Sequence, residues 1–133
     1  MRPAVPALLV THRGYGKGLL EAARAILGAS PEIDVLENDG LSPDALGAAV
    51  DAWLSAHPGP ALILTDLGFG SCCQTARLAS RSRPEVGVVA GVNLPVLLAL
   101  LRSREHGDAS TLLDHLVERG RDSIQVFRGG SAG

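Results

Sequence analysis

The stretch ALLVTHRGYGKGLL, residues 7–20, runs from a short apolar segment through a histidine into a series of alternating glycines. The apolar segment ending at Val10 predicts a buried strand, and the spacing of apolar residues from Leu19 to Leu27 predicts a helix after the glycines. His12 therefore stands where the strand gives way to the loop. A strand, a glycine-rich loop and a helix in this order are typical of the first unit of a parallel α/β sheet.

The same alternation of apolar runs and helical stripes continues along the chain. The pattern predicts strands at 5–10, 33–37, 61–65 and 86–90, helices starting near 43, 71, 96 and 109, and a half-exposed edge strand at 123–127. The helix that starts near 71 is expected to run towards Pro84. The order indicates a doubly wound α/β fold, with a mainly parallel sheet and helices on both faces.

The loops that follow the first and third strands carry the candidate chemistry. If the strand order is 2-1-3-4, these two strands are neighbours, and ligands bind in such sheets beyond the carboxyl ends of the strands. His12 and Asp66 each lie two residues past the last apolar residue of their strand. We therefore expect the imidazole and the carboxylate to lie side by side.

Composition bounds the class of protein. The chain has 133 residues, a formal net charge of -2 and scattered basic residues, so it offers no basic stripe for nucleic acid. No apolar run approaches the ~20 residues that span a bilayer, and the first residues do not form a signal peptide. We expect one cytoplasmic domain over 1–128 with a flexible tail at 129–133. No cofactor or metal ion is expected, because His115 and Glu118 form only a helical pair without further ligands.

An imidazole held by a carboxylate suits phosphoryl transfer. The carboxylate accepts the N–H of one ring nitrogen, leaves the other as a nucleophile and stabilises the growing positive charge. Glycines let the backbone amides of two helix starts approach a phosphoryl group, and Ser71 offers a hydroxyl donor. Ser71 is equally suited to be the N-cap of its helix, as Asn93 is for the helix that starts near Pro95.

Competing motifs do not fit. The alternating glycines lack the G-x-G-x-x-G spacing of a dinucleotide site, and GYGKG is followed by neither Ser nor Thr, so it is not a P-loop. Cys72 and Cys73 open a predicted helix, a position that lowers thiol pKa and can create a reactive thiolate. Two buried, unreactive cysteines explain the pair more simply.

Three segments in order resemble the IIA component of mannose-type sugar phosphotransferase systems, a family that includes the phosphocarrier part of certain dihydroxyacetone kinases. They are THRGYGKGLLEAARAILG from residue 11, TDLGFGSCCQTA from residue 65 and GVNLPVLLALL from residue 91. The closing GRDSIQVF also fits. By this resemblance His12 is the phosphorylated residue, Asp66 orients it and Ser71 lies against the phosphoryl group. The phosphate-binding residues expected around them are Arg13, Gly14, Gly68, Gly70 and Cys72.

The resemblance also implies partners. The donor is the phosphocarrier HPr, the acceptor is a IIB component that serves sugar uptake or its regulation, and a homodimer contributes an antiparallel fifth strand, which suits residues 123–127. The chain departs from the usual pattern at Arg13, where a small residue is common, and at Cys72, which replaces a proline. Two alternatives therefore stay open: a non-catalytic regulatory or anion-binding module with the same fold, and a phosphocarrier for a dihydroxyacetone kinase.

Overall fold

The computed structural model describes residues 4–28, 32–103 and 109–130, and regular elements alternate through these ranges. In chain order they are β1 (Ala7–Thr11), α1 (Tyr15–Leu27), β2 (Asp34–Glu37), α2 (Pro43–Ala56), β3 (Ala61–Thr65), α3 (Ser71–Ser80), β4 (Val86–Ala90), α4 (Leu94–Ser103) and α5 (Ala109–Asp122). The four strands form one parallel sheet in the order β2-β1-β3-β4. The predicted α/β class and strand order are confirmed.

Successive residues of a strand point to opposite sides of the sheet, so a continuously apolar strand has apolar side chains on both faces. Helices cover both of these faces. On one face, Leu9 and Leu64 pack with α1, α4 and α5 in a single apolar cluster. On the other face, Val10 and Ile63 pack with α2 and α3. The two central strands, β1 and β3, are buried along their whole length, which explains their continuous apolar sequences.

The expected start of α2 and end of α1 are confirmed. The Ser42 hydroxyl accepts a hydrogen bond from the Ala45 amide at 3.1 Å, and Pro43 occupies the first turn of α2. Gly28 ends α1 in the left-handed conformation, with its N–H bonded to the Arg24 carbonyl.

Helix α1 begins four residues earlier than the sequence predicts, within the series of glycines. Gly14, at a φ of 83°, is its N-cap, so the turn is made in two residues after His12. Gly16 is helical and buried because it lies directly on β1 and β2: a β-carbon there would be 2.9 Å from both Thr11 Oγ1 and Val35 Cγ1. This glycine allows close packing of helix on strand and does not loosen the loop.

Helix α3 ends at Ser80 and does not run on to Pro84. The residue before a proline disfavours the helical conformation, and Arg83 is used differently. Its guanidinium donates to the carbonyls of Leu54, His57 and Gly59, at 2.6 to 2.9 Å. Arg83 thereby satisfies the carboxyl end of α2, which has no basic residue in its last turn.

The predicted fifth strand is not present among the described residues. Residues 124–128 have no regular secondary structure, and the large apolar side chains of Ile124, Val126 and Phe127 are more than 70% exposed. Gly129 and Gly130 form a turn, and the rest of the expected tail lies outside the described residues. No helix within the described ranges is long and apolar enough to cross a membrane.

Candidate functional site

The site lies at the carboxyl edge of the sheet, where β1 and β3 end side by side. Val10 is paired with Thr65 in the parallel ladder, so the residues that follow leave the sheet together. The His12 backbone N–H donates to Asp66 Oδ2 at 2.9 Å and fixes the two loops to each other. The neighbourhood expected from the topology is therefore present.

The His12 ring is bonded to the same carboxylate oxygen. Nδ1 lies 2.9 Å from Asp66 Oδ2, with the histidine side chain 44% exposed and the aspartate side chain only 8% exposed. An ionised carboxylate only accepts hydrogen bonds, so in the neutral imidazole the ring proton resides on Nδ1 and Nε2 carries the lone pair. The pair thus combines a buried carboxylate with a half-exposed ring whose neutral form has its lone pair on Nε2.

Asp66 is held as an anion by the groups around it. Burial acts to raise its pKa, but hydrogen bonds from the His12 amide and ring, with the attraction of the histidine, outweigh burial and lower the pKa below its ordinary value. The Leu67 amide also donates, at 3.0 Å, to Oδ1. Every protein group described on this carboxylate is a donor, which suits the charged form alone.

The amino end of α3 faces the histidine. Gly70 is the N-cap in extended conformation, and no side chain caps the helix. A β-carbon on Gly70 would lie 3.3 Å from His12 Cε1, so the backbone lies directly against the ring. Ser71 is the first residue of the helix; its expected role as N-cap is wrong, because Gly70 takes that position. An uncapped helix start next to a nucleophilic nitrogen favours an anion there.

The other expected phosphate contacts are distributed around this centre. Gly14 starts α1, and Gly68 lies in the β3–α3 loop close to Ala90. Arg13 is 80% exposed and its Nε lies 3.6 Å from a carboxylate oxygen of Asp39. Within the described ranges, its guanidinium pairs with Asp39 at the rim of the site and makes no hydrogen bond to His12.

Cys72 lies beneath the site and is not a thiolate. Burial first, and then the negative charge of Asp66, raise the pKa of its thiol to about 11, although a hydrogen bond with Ser71 acts in the opposite direction. Both Cys72 and Cys73 are buried, as the simpler interpretation predicts, and the raised pKa of Cys72 disfavours a reactive thiolate at that position. Metal-ligating atoms of His12, Asp66 and Cys72 nevertheless lie within 4.8 Å of one another.

Two supporting residues were not identified from the sequence. The Thr11 hydroxyl donates to the His12 carbonyl at 2.9 Å and accepts the Gly16 amide at 2.9 Å, so it joins the histidine to the start of α1. Tyr15 donates its hydroxyl to the Val92 carbonyl at 2.5 Å, which ties α1 to the loop after β4. A buried polar residue at the end of an apolar strand was the available signal for Thr11; Tyr15 gave none.

The other histidines within the described residues, His57 and His115, and Asn93 make contacts that support the fold. His57 stacks on Trp53 and bonds to its carbonyl, and His115 lies 3.4 Å from the Ser103 hydroxyl. His106 lies outside the described residues. The Asn93 side chain accepts the Val96 amide at 3.0 Å, which confirms it as a helix cap.

Comparison with known proteins identifies similar sequences and folds. A family model described as PTS system fructose IIA component matches residues 7–117. The chain is 29% identical over 116 residues to the PTS system sorbose-specific EIIA component of Lacticaseibacillus casei, which covers 84% of this chain and 82% of that protein.

Two of the solved structures with the same fold are IIA proteins of phosphotransferase systems. The mannose/sorbose specific IIA subunit of the phosphotransferase system from Enterococcus faecalis superposes with a TM-score of 0.86 at 22% identity, covering 98% of this chain and 100% of that one. Phosphotransferase system component EIIA from Streptococcus agalactiae gives a TM-score of 0.84 at 21% identity, over 92% and 96% of the two chains. At these identities the likeness supports the fold.

Proposed function

The chain belongs to the mannose-type IIA family of the sugar phosphotransferase system, and from this premise we propose that it is a phosphohistidine carrier in which His12 accepts and passes on a phosphoryl group. The observation that carries the proposal is the 2.9 Å hydrogen bond between His12 Nδ1 and Asp66 Oδ2. In the neutral imidazole it leaves the lone pair on Nε2, in a half-exposed ring that lies against the uncapped start of α3.

The transfer step follows from this arrangement. Nε2 attacks the phosphorus of a phosphorylated donor; the new N–P bond forms as the bond from phosphorus to the donor breaks, and the donor leaves with the electron pair. The ring becomes positively charged, and the buried carboxylate of Asp66 stabilises that charge. The reverse reaction delivers the phosphoryl group to an acceptor through the same geometry.

The phosphoryl oxygens need donors, because catalysis of this reaction is mainly positioning and charge stabilisation. The first-turn amides of α3 and the Ser71 hydroxyl are the proposed donors. Gly70 is needed for this approach, since its missing side chain leaves the backbone in contact range of the ring. Gly14, Gly68 and Cys72 contribute backbone, and Arg13 contributes positive charge at the rim.

The proposed donor is an HPr-like phosphocarrier, and the proposed acceptor is a IIB component of a sugar transport or regulatory chain. Membership of the family supports both proposals and the proposed transferase role. We also propose that the chain acts as a homodimer. The segment 123–127 carries three exposed large apolar side chains, and β4 is an edge of the sheet. An antiparallel strand exchanged between two copies would cover both features.

The experiment is phosphorylation of the purified chain by phosphoenolpyruvate, enzyme I and HPr. We expect acid-labile, base-stable phosphate that disappears in His12→Ala and persists in His115→Ala, a matched loss of an imidazole on α5. Unchanged labelling of His12→Ala, or no labelling of the wild-type chain by any phosphocarrier supplied, would contradict the proposal and favour the non-catalytic module.

A further inference from the structure

We propose that His12, Asp66 and Cys72 together form a binding site for a soft divalent metal ion such as Zn²⁺, and that this ion blocks the phosphorylation site. A ring nitrogen of His12, a carboxylate oxygen of Asp66 and Cys72 Sγ lie within 4.8 Å of one another. That the ion inhibits phosphoryl transfer rests on the proposed function; that it binds does not.

The geometry is close to what the ion requires. Zinc bonds of about 2.0–2.3 Å in a tetrahedron place the ligand atoms about 3.3–3.6 Å apart. His12 Nδ1 and Asp66 Oδ2 are 2.9 Å apart, and the ligand atoms of all three residues lie within 4.8 Å of one another, so coordination requires changes of no more than about 1.5 Å in their separations. The His12 side chain is 44% exposed, so we expect the ion to enter from the solvent side of the ring and to keep a water molecule as its fourth ligand.

The donor set selects the ion. One thiol, one imidazole and one carboxylate are ligands for zinc and similar transition metals. Calcium prefers six to eight oxygen ligands, and magnesium prefers an octahedron of oxygens, neither of which this set supplies. The chain therefore has no comparable affinity for these ions at this position.

Binding of the ion releases one proton overall. The thiol of Cys72 is protonated before the ion arrives, and coordination of its sulfur releases one proton to solvent as the metal–sulfur bond forms. As the ion binds His12 Nδ1, the Nδ1 proton is lost to solvent and Nε2 takes one up, so the ring stays neutral. The ion then holds both Nδ1 and the Asp66 carboxylate, and Nε2 no longer has a free lone pair. A metal-bound site cannot accept a phosphoryl group until the ion is removed.

The first test uses Co²⁺ as a spectroscopic probe on the full, chelator-treated chain. We expect one equivalent to bind with a thiolate-to-cobalt charge-transfer band, and Zn²⁺ to displace it. Cys72→Ser and Cys72→Ala are expected to lose the band. The matched control Cys73→Ser removes an equally buried neighbouring thiol and is expected to keep it. His12→Ala and Asp66→Asn should weaken Zn²⁺ binding at least about tenfold.

X-ray absorption at the zinc edge of the loaded wild-type chain supplies a test that needs no variant. One sulfur neighbour per zinc supports the proposal; none, or two, overturns it. Absence of the cobalt band in the wild-type chain, or its persistence without Cys72, also overturns it.

Inhibition of phosphoryl transfer by Zn²⁺ is measured in a separate experiment. The chain is labelled with phosphoenolpyruvate, enzyme I and HPr, and the phosphorylation of HPr is followed in the same mixture. Zn²⁺ should stop labelling of the chain at concentrations that leave HPr phosphorylated, and a chelator should restore it. Zinc-bound chain that is labelled at the metal-free rate overturns the regulatory part. No labelling even with chelator contradicts the proposed function instead, while the cobalt spectrum still decides the metal site.

Discussion

At the residue scale, Asp66 organises the proposed phosphorylation site through three hydrogen bonds. Its Oδ2 accepts hydrogen bonds from the backbone amide and the ring Nδ1 of His12, and its Oδ1 accepts one from the Leu67 amide. The first bond fixes the loops, the second fixes the ring tautomer, and the negative charge lowers the energy of a charged imidazole. One carboxylate therefore couples local folding to the proposed chemistry.

Asp66→Asn tests this coupling, because an asparagine has the same size but one end that donates. Its NH₂ group must face either the Leu67 amide or the His12 donors, so a favourable contact becomes a repulsive one, and the charge is lost. We expect the initial rate of phosphorylation by phosphorylated HPr to fall at least about tenfold. The exposed control Asp51→Asn on α2 should keep the wild-type rate; equal rates in both variants would remove Asp66 from the mechanism.

Asp66 should also make stability depend on pH. Because its pKa in the folded chain is lowered, its stabilising contribution is complete above the ordinary aspartate value of 3.8 and is lost as the pH falls through the lower folded value. In urea unfolding at one protein concentration, the wild-type free energy of unfolding should fall more between about pH 5 and about pH 3 than that of Asp66→Asn. Equal losses would show that the carboxylate is not stabilised by folding.

At the scale of the elements, the connection from β1 to α1 is short and tightly packed. Thr11 bonds to both the His12 carbonyl and the Gly16 amide, and Gly16 leaves no room for a side chain. Gly18, two residues further along the same helix, has open space where its β-carbon would be. The two glycines look alike in the sequence and have opposite environments.

Alanine at these two positions should therefore have opposite effects. Gly18→Ala should stabilise the chain by about 0.5–1 kcal/mol, since it removes the entropic cost of a helical glycine. Gly16→Ala should destabilise it by about 1–3 kcal/mol, because the methyl group overlaps the Thr11 and Val35 side chains. Denaturant unfolding measures both, and a stabilised Gly16→Ala variant would contradict the close packing.

At the scale of the whole molecule, the sheet could be predicted and parts of the site could not. The long apolar runs identify β1 and β3 as central strands, and the strand order then brings His12 and Asp66 together. The same reasoning was wrong where local pattern and packing disagree: the series of glycines predicted a loop at Gly16, which is helical, and the helix predicted to run towards Pro84 ends at Ser80. The resemblance alone placed Cys72 near His12; the distance between their ligand atoms depends on how α3 meets β1, which no spacing in the sequence encodes.

The segment 123–127 is the feature that a single chain leaves without a role. Its apolar side chains are exposed, and β4 is an edge strand of the sheet. Light scattering at micromolar concentration should give a dimer for the wild-type chain and for a chain lacking residues 129–133, and a monomer when 124–133 are removed. A monomeric wild-type chain, or a dimer that survives the longer deletion, would contradict strand exchange.

The most direct test of the central claim is the position of phosphorus on the imidazole. Nuclear magnetic resonance of the ¹⁵N-labelled, phosphorylated chain resolves which ring nitrogen is coupled to ³¹P. The hydrogen bond from His12 Nδ1 to Asp66 predicts coupling to Nε2 of His12. Phosphorus on Nδ1, or on any residue other than His12, would contradict the account.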